Sequence, residues 1–191
     1  MSEEKYQSYL KLLEMTYDEA VKYLLNKYGP ATVNYFSEKS YERFMNCEIK
    51  SIAKGKCSRT SEGLYCHHIK EDRAINLANL QFIKHYKHPY HYHLKEELVY
   101  CDLVEHMILH ALIVKENVEQ KMPYGIGGYV NFLEPQVKEW YIEKRVPSQQ
   151  WMLNCYNKAY IEPKQAKEII KRAGKKIYKL SEKDSDCNEK D

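Results

Sequence analysis

Over residues 1–53 apolar side chains recur at helical spacing. Tyr6, Leu10, Leu13 and Met15 approximate one face of a first helix, and Thr16-Tyr17-Asp18-Glu19 reads as a capping box opening a second. Gly29-Pro30 then supplies a C-cap glycine and a residue that cannot extend the helix. A third helix is predicted from about Glu38 to Ala53, with Tyr41, Phe44, Met45, Ile49 and Ile52 on its apolar face, and the basic segment Lys54-Gly55-Lys56-Cys57-Ser58-Arg59 breaks it.

The pattern changes at residue 63. Gly63-Leu64-Tyr65-Cys66-His67-His68-Ile69 is short, aromatic and apolar behind a Glu-Gly turn, which predicts a strand. A polar, histidine-rich connection follows to about Lys95, and Glu97-Leu98-Val99-Tyr100-Cys101 predicts a second strand. Asp102 with Glu105 three residues later is an N-cap and its reciprocal acid, so a helix starts at Leu103 and is expected to run to about Gln120. Pro123, Gly125, Gly127 and Gly128 break the chain again. Further helices are predicted near Pro135–Lys144, Ser148–Tyr160 and Pro163–Ala173. Tyr17, Val21, Leu24 and Leu25, and likewise Trp140, Tyr141, Trp151 and Leu153, are expected in the core.

The expected fold is a mainly helical α+β protein. An N-terminal helical segment (1–53) and a C-terminal helical segment (122–180) flank a strand-strand-helix core (54–121), and an acidic tail (181–191) is expected to be disordered. At 191 residues one compact domain is the default. No apolar run approaches the twenty or so residues that span a bilayer. The opening Met1-Ser2-Glu3-Glu4-Lys5 has no leader pattern, so a cytoplasmic protein with six reduced cysteines is expected. Net charge is +3, with five acids against two lysines in the last eleven residues, so the body is basic. That balance permits nucleic-acid binding without demonstrating it.

The histidines change the picture most. His106 and His110 stand one turn apart on one face of the predicted helix, where their imidazoles can converge on an ion. His67 points opposite to His68 on its strand and can supply a third ligand if the strands pack across that helix. With 8 histidines in the chain either pair alone is weak, but chance does not readily supply both pairs in this order, each behind a strand and the second behind a capping box.

This constellation resembles the HNH, or ββα-metal, nucleases, including the colicin nuclease branch: a His-His pair, a polar residue nine positions before a helical histidine, and another histidine four positions on. The resemblance covers about 45 residues, Leu64 to Leu109, and implies that His67, His106 and His110 bind one divalent metal ion (Zn, Ni, Mn or Mg) while His68 acts as general base. Glu97 falls where the family usually has the Asn that orients that base. Three imidazoles favour zinc or nickel for tight binding, since magnesium prefers an oxygen shell. The Cys-x-x-Cys pairs that staple many relatives are absent from the sequence, so no structural zinc is expected.

The implied activity is metal-dependent hydrolysis of nucleic-acid phosphodiesters, with DNA as the expected substrate, no membrane partner, and a homodimer as one way to reach both strands. Lys54, Lys56 and Arg59 are candidate phosphate contacts beside the metal. The rivals are a non-catalytic, metal-stabilised nucleic-acid-binding module and a phage or host regulatory protein with purely structural histidines. His85, His88, His91 and His93 with their interleaved tyrosines read best as a polar aromatic surface loop. Lys164, Lys167, Lys171, Arg172, Lys175 and Lys176 read best as a solvated helix face, and Cys66 and Cys101 as packing residues.

Overall fold

The structure, a computed structural model, describes residues 2–117, 119, 124–175 and 177. It is a mainly helical α+β fold. Helices α1 (Ser2–Leu13), α2 (Tyr17–Tyr28) and α3 (Glu38–Met45) precede strand β1 (Tyr65–His68). A short helix α4 (Leu80–Tyr86) lies in the connection to strand β2 (Leu98–Cys101), and α5 (Leu103–Glu116) follows directly. A helical stretch α6 (126–142), partly π-wound, then α7 (Gln150–Ala159) and α8 (Pro163–Gly174), complete the chain. None of the described helices is long and apolar enough to cross a membrane.

β1 and β2 pair antiparallel, with Tyr65 opposite Cys101, His67 opposite Val99 and His68 opposite Leu98. One residue separates β2 from α5, and that residue is the cap. Asp102 Oδ1 accepts from the Glu105 amide at 2.9 Å, and Glu105 Oε2 accepts from the Asp102 amide at 2.8 Å. Such a cap stabilises a helix by about 1 kcal/mol and here fixes where α5 leaves the sheet. The pair is buried, so its charges need partners from elsewhere. Tyr9 of α1 donates to Asp102 Oδ2 at 2.7 Å, and Lys27 of α2 pairs with Glu105 Oε1 at 2.6 Å.

Helix α5 is the axis of the main core. Leu103, Val104, Met107, Ile108, Leu109, Leu112 and Ile113 are all buried, so the helix is apolar around its circumference and other elements surround it. Those elements include α1, α2, α6 and α8, so the main core draws on residues from all three predicted segments. A second, smaller core gathers Phe36, Tyr41, Phe44, Ile52 and Ile83 beside the β-hairpin.

Several boundaries depart from the pattern. Helix α3 stops at Met45, not Ala53, because Cys47 takes a left-handed φ of 64° and turns the chain so that Ile49 and Ile52 reach the second core by another path. Helix α5 ends at Glu116, ahead of Gln120, where the Asn117 side chain donates to the Ile113 carbonyl. The predicted loop from Ile69 to Lys95 contains α4, capped by Asn79. The helix expected at Pro135 begins at Ile126, nine residues earlier, because burial of Tyr129 and Leu133 against α5 outweighs the glycines of its first turn. Trp151 is exposed, not core. Pro123, Lys176 and the tail 181–191 lie outside the described residues.

Candidate metal centre

Strand alternation sends His67 and His68 to opposite faces of the hairpin, and the chemistry divides there. His67 faces α5. One ring nitrogen from each of His67, His106 and His110 lies within 4.8 Å of the other two, the spacing of ligands around a single ion. Ring centroids are 5.1 Å apart for His67 and His106, 5.2 Å for His67 and His110, and 5.0 Å for His106 and His110.

Hydrogen bonds assign the tautomers of two of the rings. Tyr17 spends its single hydroxyl proton on the Ile69 carbonyl at 2.8 Å, so at 2.9 Å from His67 Nε2 it must accept. His67 therefore carries its proton on Nε2, leaving the Nδ1 lone pair free inside the cluster. His110 Nδ1 lies 3.0 Å from the Gly125 carbonyl, which can only accept, so Nδ1 carries a proton and Nε2 is the nitrogen left for the cluster. His67 Nδ1 and His106 Nδ1 are buried without a hydrogen-bond partner. Unmatched buried nitrogens of this kind are costly, and an ion satisfies them.

Burial sets the protonation. Desolvation pushes His67 down to about 3 and His106 well below the ordinary histidine range, so both are neutral and ligand-ready at pH 7. Two glycines hold the third ring. Gly125 adopts φ +79°, which turns its carbonyl toward His110, and a Cβ on Gly128 would stand 2.4 Å from His110 Cε1, so only glycine leaves room for the imidazole.

Glu71, in the 3-10 turn after β1, joins the cluster without having been expected. Its Oε2 lies 3.1 Å from His110 Nε2 and 3.8 Å from His67 Nδ1. Burial would raise its carboxyl, but the hydrogen bond to His110 and the fields of His67 and His110 prevail and hold it well below the carboxylate range. Spacing carried a faint signal: Glu71 follows His67 by four residues in a charged Lys-Glu-Asp-Arg run directly after an apolar strand. Glu71 and His110 also line a cleft of about 730 Å³ whose walls include Phe82, Tyr86, Tyr92 and Tyr124.

His68 is walled off from that cleft. It is 2% exposed, packs 4.4 Å from the Tyr35 ring centroid, and exchanges a hydrogen bond with His93 between Nε2 and Nδ1 at 3.2 Å. Burial takes it down to about 4. Glu97 does not orient it. That carboxylate pairs with Lys70 at 3.2 Å, because it belongs to a 3-10 turn ahead of β2 and not to the strand itself.

Arg59 makes a fork to Glu62 and donates to the Tyr28 carbonyl at 2.6 Å. Lys54 and Lys56 are exposed. His88 and His93 are buried, contrary to a surface loop, since His88 Nε2 bonds the Ile75 carbonyl at 2.9 Å and His93 packs on Phe36 and Tyr41.

Searches of protein-family profiles, of curated proteins and of solved structures return no match to this chain.

Proposed function

We propose that the protein is a metal-dependent phosphodiester hydrolase of the HNH type, acting on nucleic acid, with DNA as the expected substrate. The observation that carries this reading is the convergence of His67, His106 and His110, with one ring nitrogen of each within 4.8 Å of the other two, on a hairpin followed by a capped helix. His67, His106 and His110 would hold one divalent ion, which when bound would supply positive charge to a scissile phosphate. Tyr17 and the Gly125 carbonyl fix the ring tautomers, a role whose loss typically costs about 10–100-fold in metal affinity. Substrate approach is from the cleft at Glu71 and His110, whose aromatic walls offer stacking surfaces to bases. The five described cysteines are free, which accords with a cytoplasmic setting.

One observation favours a second reading. The general base that the resemblance implies, His68, is sealed behind Tyr35 and His93, and Glu97 is engaged by Lys70. A non-catalytic, metal-stabilised nucleic-acid-binding module would need the ligands and not the base.

Plasmid nicking decides between them. Metal-stripped protein is supplied in turn with magnesium, manganese, nickel or zinc, with His68→Ala and His110→Ala alongside. Cutting that depends on the ion, disappears in His68→Ala with metal content intact, and disappears in His110→Ala together with metal supports the hydrolase. Bound metal without cutting by any ion selects the binding module.

A further inference from the structure

We infer that Glu71 is the fourth protein ligand of the ion, so that the centre is a His3Glu site closed by a carboxylate. The inference rests on the metal-site reading above and extends it.

Two observations meet at one carboxylate oxygen, and a third concerns the other. First, the Gly125 carbonyl takes the Nδ1 proton of His110 and leaves Nε2 to face Glu71 Oε2 at 3.1 Å. That contact is held by a cation between the two atoms, a proton on Nε2 or a metal ion, and only the ion can serve the neighbouring His67 nitrogen as well. Second, the same Oε2 lies 3.8 Å from His67 Nδ1, the nitrogen that Tyr17 leaves free and that has no hydrogen-bond partner. His67 Nδ1 and His110 Nε2 thus flank one carboxylate oxygen. Third, the other oxygen, Oε1, faces His68 Nδ1 at 3.9 Å, beyond hydrogen-bond length, so it does not draw the carboxylate away from the triad. Glu71 is only 18% exposed, and a half-buried carboxylate with imidazole nitrogens beside it is suited to hold a cation.

The composition has a chemical consequence. Three imidazoles and a carboxylate are the donor set of a closed tetrahedral zinc or cobalt(II) site, and since Glu71 lies outside the 4.8 Å group that the three histidines form, its side chain would close the shell by shifting toward the ion. Glu71 lines the cleft beside His110, and as the carboxylate of the set it is the ligand that an incoming phosphate would displace. Glu71 would then govern how easily the fourth position opens.

Cobalt(II) is the probe. Wild type, Glu71→Gln, Glu71→Ala and His110→Ala are loaded with cobalt(II), and the visible d–d spectrum is followed while thiocyanate is titrated in. Wild type is expected to show intense four-coordinate bands that thiocyanate leaves unchanged. Glu71→Ala is expected to show altered bands that thiocyanate shifts, and Glu71→Gln to bind zinc at least about tenfold more weakly in chelator competition. Circular dichroism identifies a variant that has failed to fold, and the wild-type response to thiocyanate then decides alone: a shift in wild type overturns the proposal. A Glu71→Gln spectrum and affinity equal to wild type, with metal lost only in His110→Ala, overturns the Glu71 assignment and leaves the three-histidine site standing. Absence of cobalt(II) binding to wild type overturns both.

Discussion

Tyr17 and His67 stand fifty residues apart in the chain and meet at 2.9 Å, hydroxyl oxygen to ring nitrogen, with the hydroxyl proton already committed to the Ile69 carbonyl. The contact makes the start of α2 part of the candidate metal centre: a side chain that reads as core by periodicity also selects which nitrogen of His67 is free.

Tyr17→Phe removes this acceptor while keeping the ring. The His67 tautomer is no longer fixed, and zinc affinity is expected to fall about 10–100-fold. The buried phenol also loses its bond to Ile69, at a cost of about 1 kcal/mol. Chelator competition and urea unfolding measure the two effects. Unchanged affinity alongside lowered stability would reduce Tyr17 to a packing residue.

Gly128→Ala places a methyl 2.4 Å from His110 Cε1 and 2.6 Å from Nδ1. The buried ring has to move, which breaks its bond to Gly125 and withdraws Nε2 from the cluster. Overpacking of this kind costs about 1–3 kcal/mol, and metal content after dialysis is expected to drop with it. Gly127→Ala serves as control, since its nearest neighbour is Asn131 Nδ2 at 3.9 Å.

Acid should destabilise the metal-free protein through His93. Burial lowers His93 from 6.5 to about 3, so below pH 6.5 the unfolded chain takes up the proton more readily than the folded one. Its contribution is complete above about 6.5 and is lost as pH falls toward 3, at up to about 1.4 kcal/mol per pH unit. Urea midpoints at pH 6.5 and pH 5 are expected to differ by about 2 kcal/mol more in wild type than in His93→Gln. Equal losses would show that His93 is not the titrating group.

Lys27→Met strands Glu105, whose side chain is 1% exposed and which also closes the α5 capping box. Stranding a buried charge costs roughly 3–5 kcal/mol, and the lower end is expected because Lys27 itself is 32% exposed. Adding Glu105→Gln should recover much of the loss, with melting temperature as the readout. No recovery in the double variant would mean that Lys27 acts through its aliphatic stem and not through charge.

What was legible in the sequence was local. Thr16 with Glu19 and Asp102 with Glu105 are three residues apart, so their capping boxes could be read without tertiary information, and the helical pair His106 and His110 followed from the second. His67 needed only strand alternation. The end of α3 was hidden because Ile49 and Ile52 keep helical spacing while belonging to a turned chain. Glu71 and His93 share a reason for escaping the sequence pattern: each sits in a polar stretch that reads as surface, yet His93 is fully buried and Glu71 only 18% exposed where the connection between the strands folds back over the hairpin. Glu97 was placed by counting back from His106, and a one-residue offset between turn and strand was enough to give it to Lys70.

The small aromatic core has a kinetic meaning. Tyr35, packed on Phe36 and on His68, ties that core to the hairpin, and His93 spans the same junction. His68 is 2% exposed, so water reaches it only when its surroundings open locally, and any chemistry at His68 runs no faster than that opening. Such a reaction would carry the steep temperature dependence of local unfolding in place of the shallower one of proton transfer.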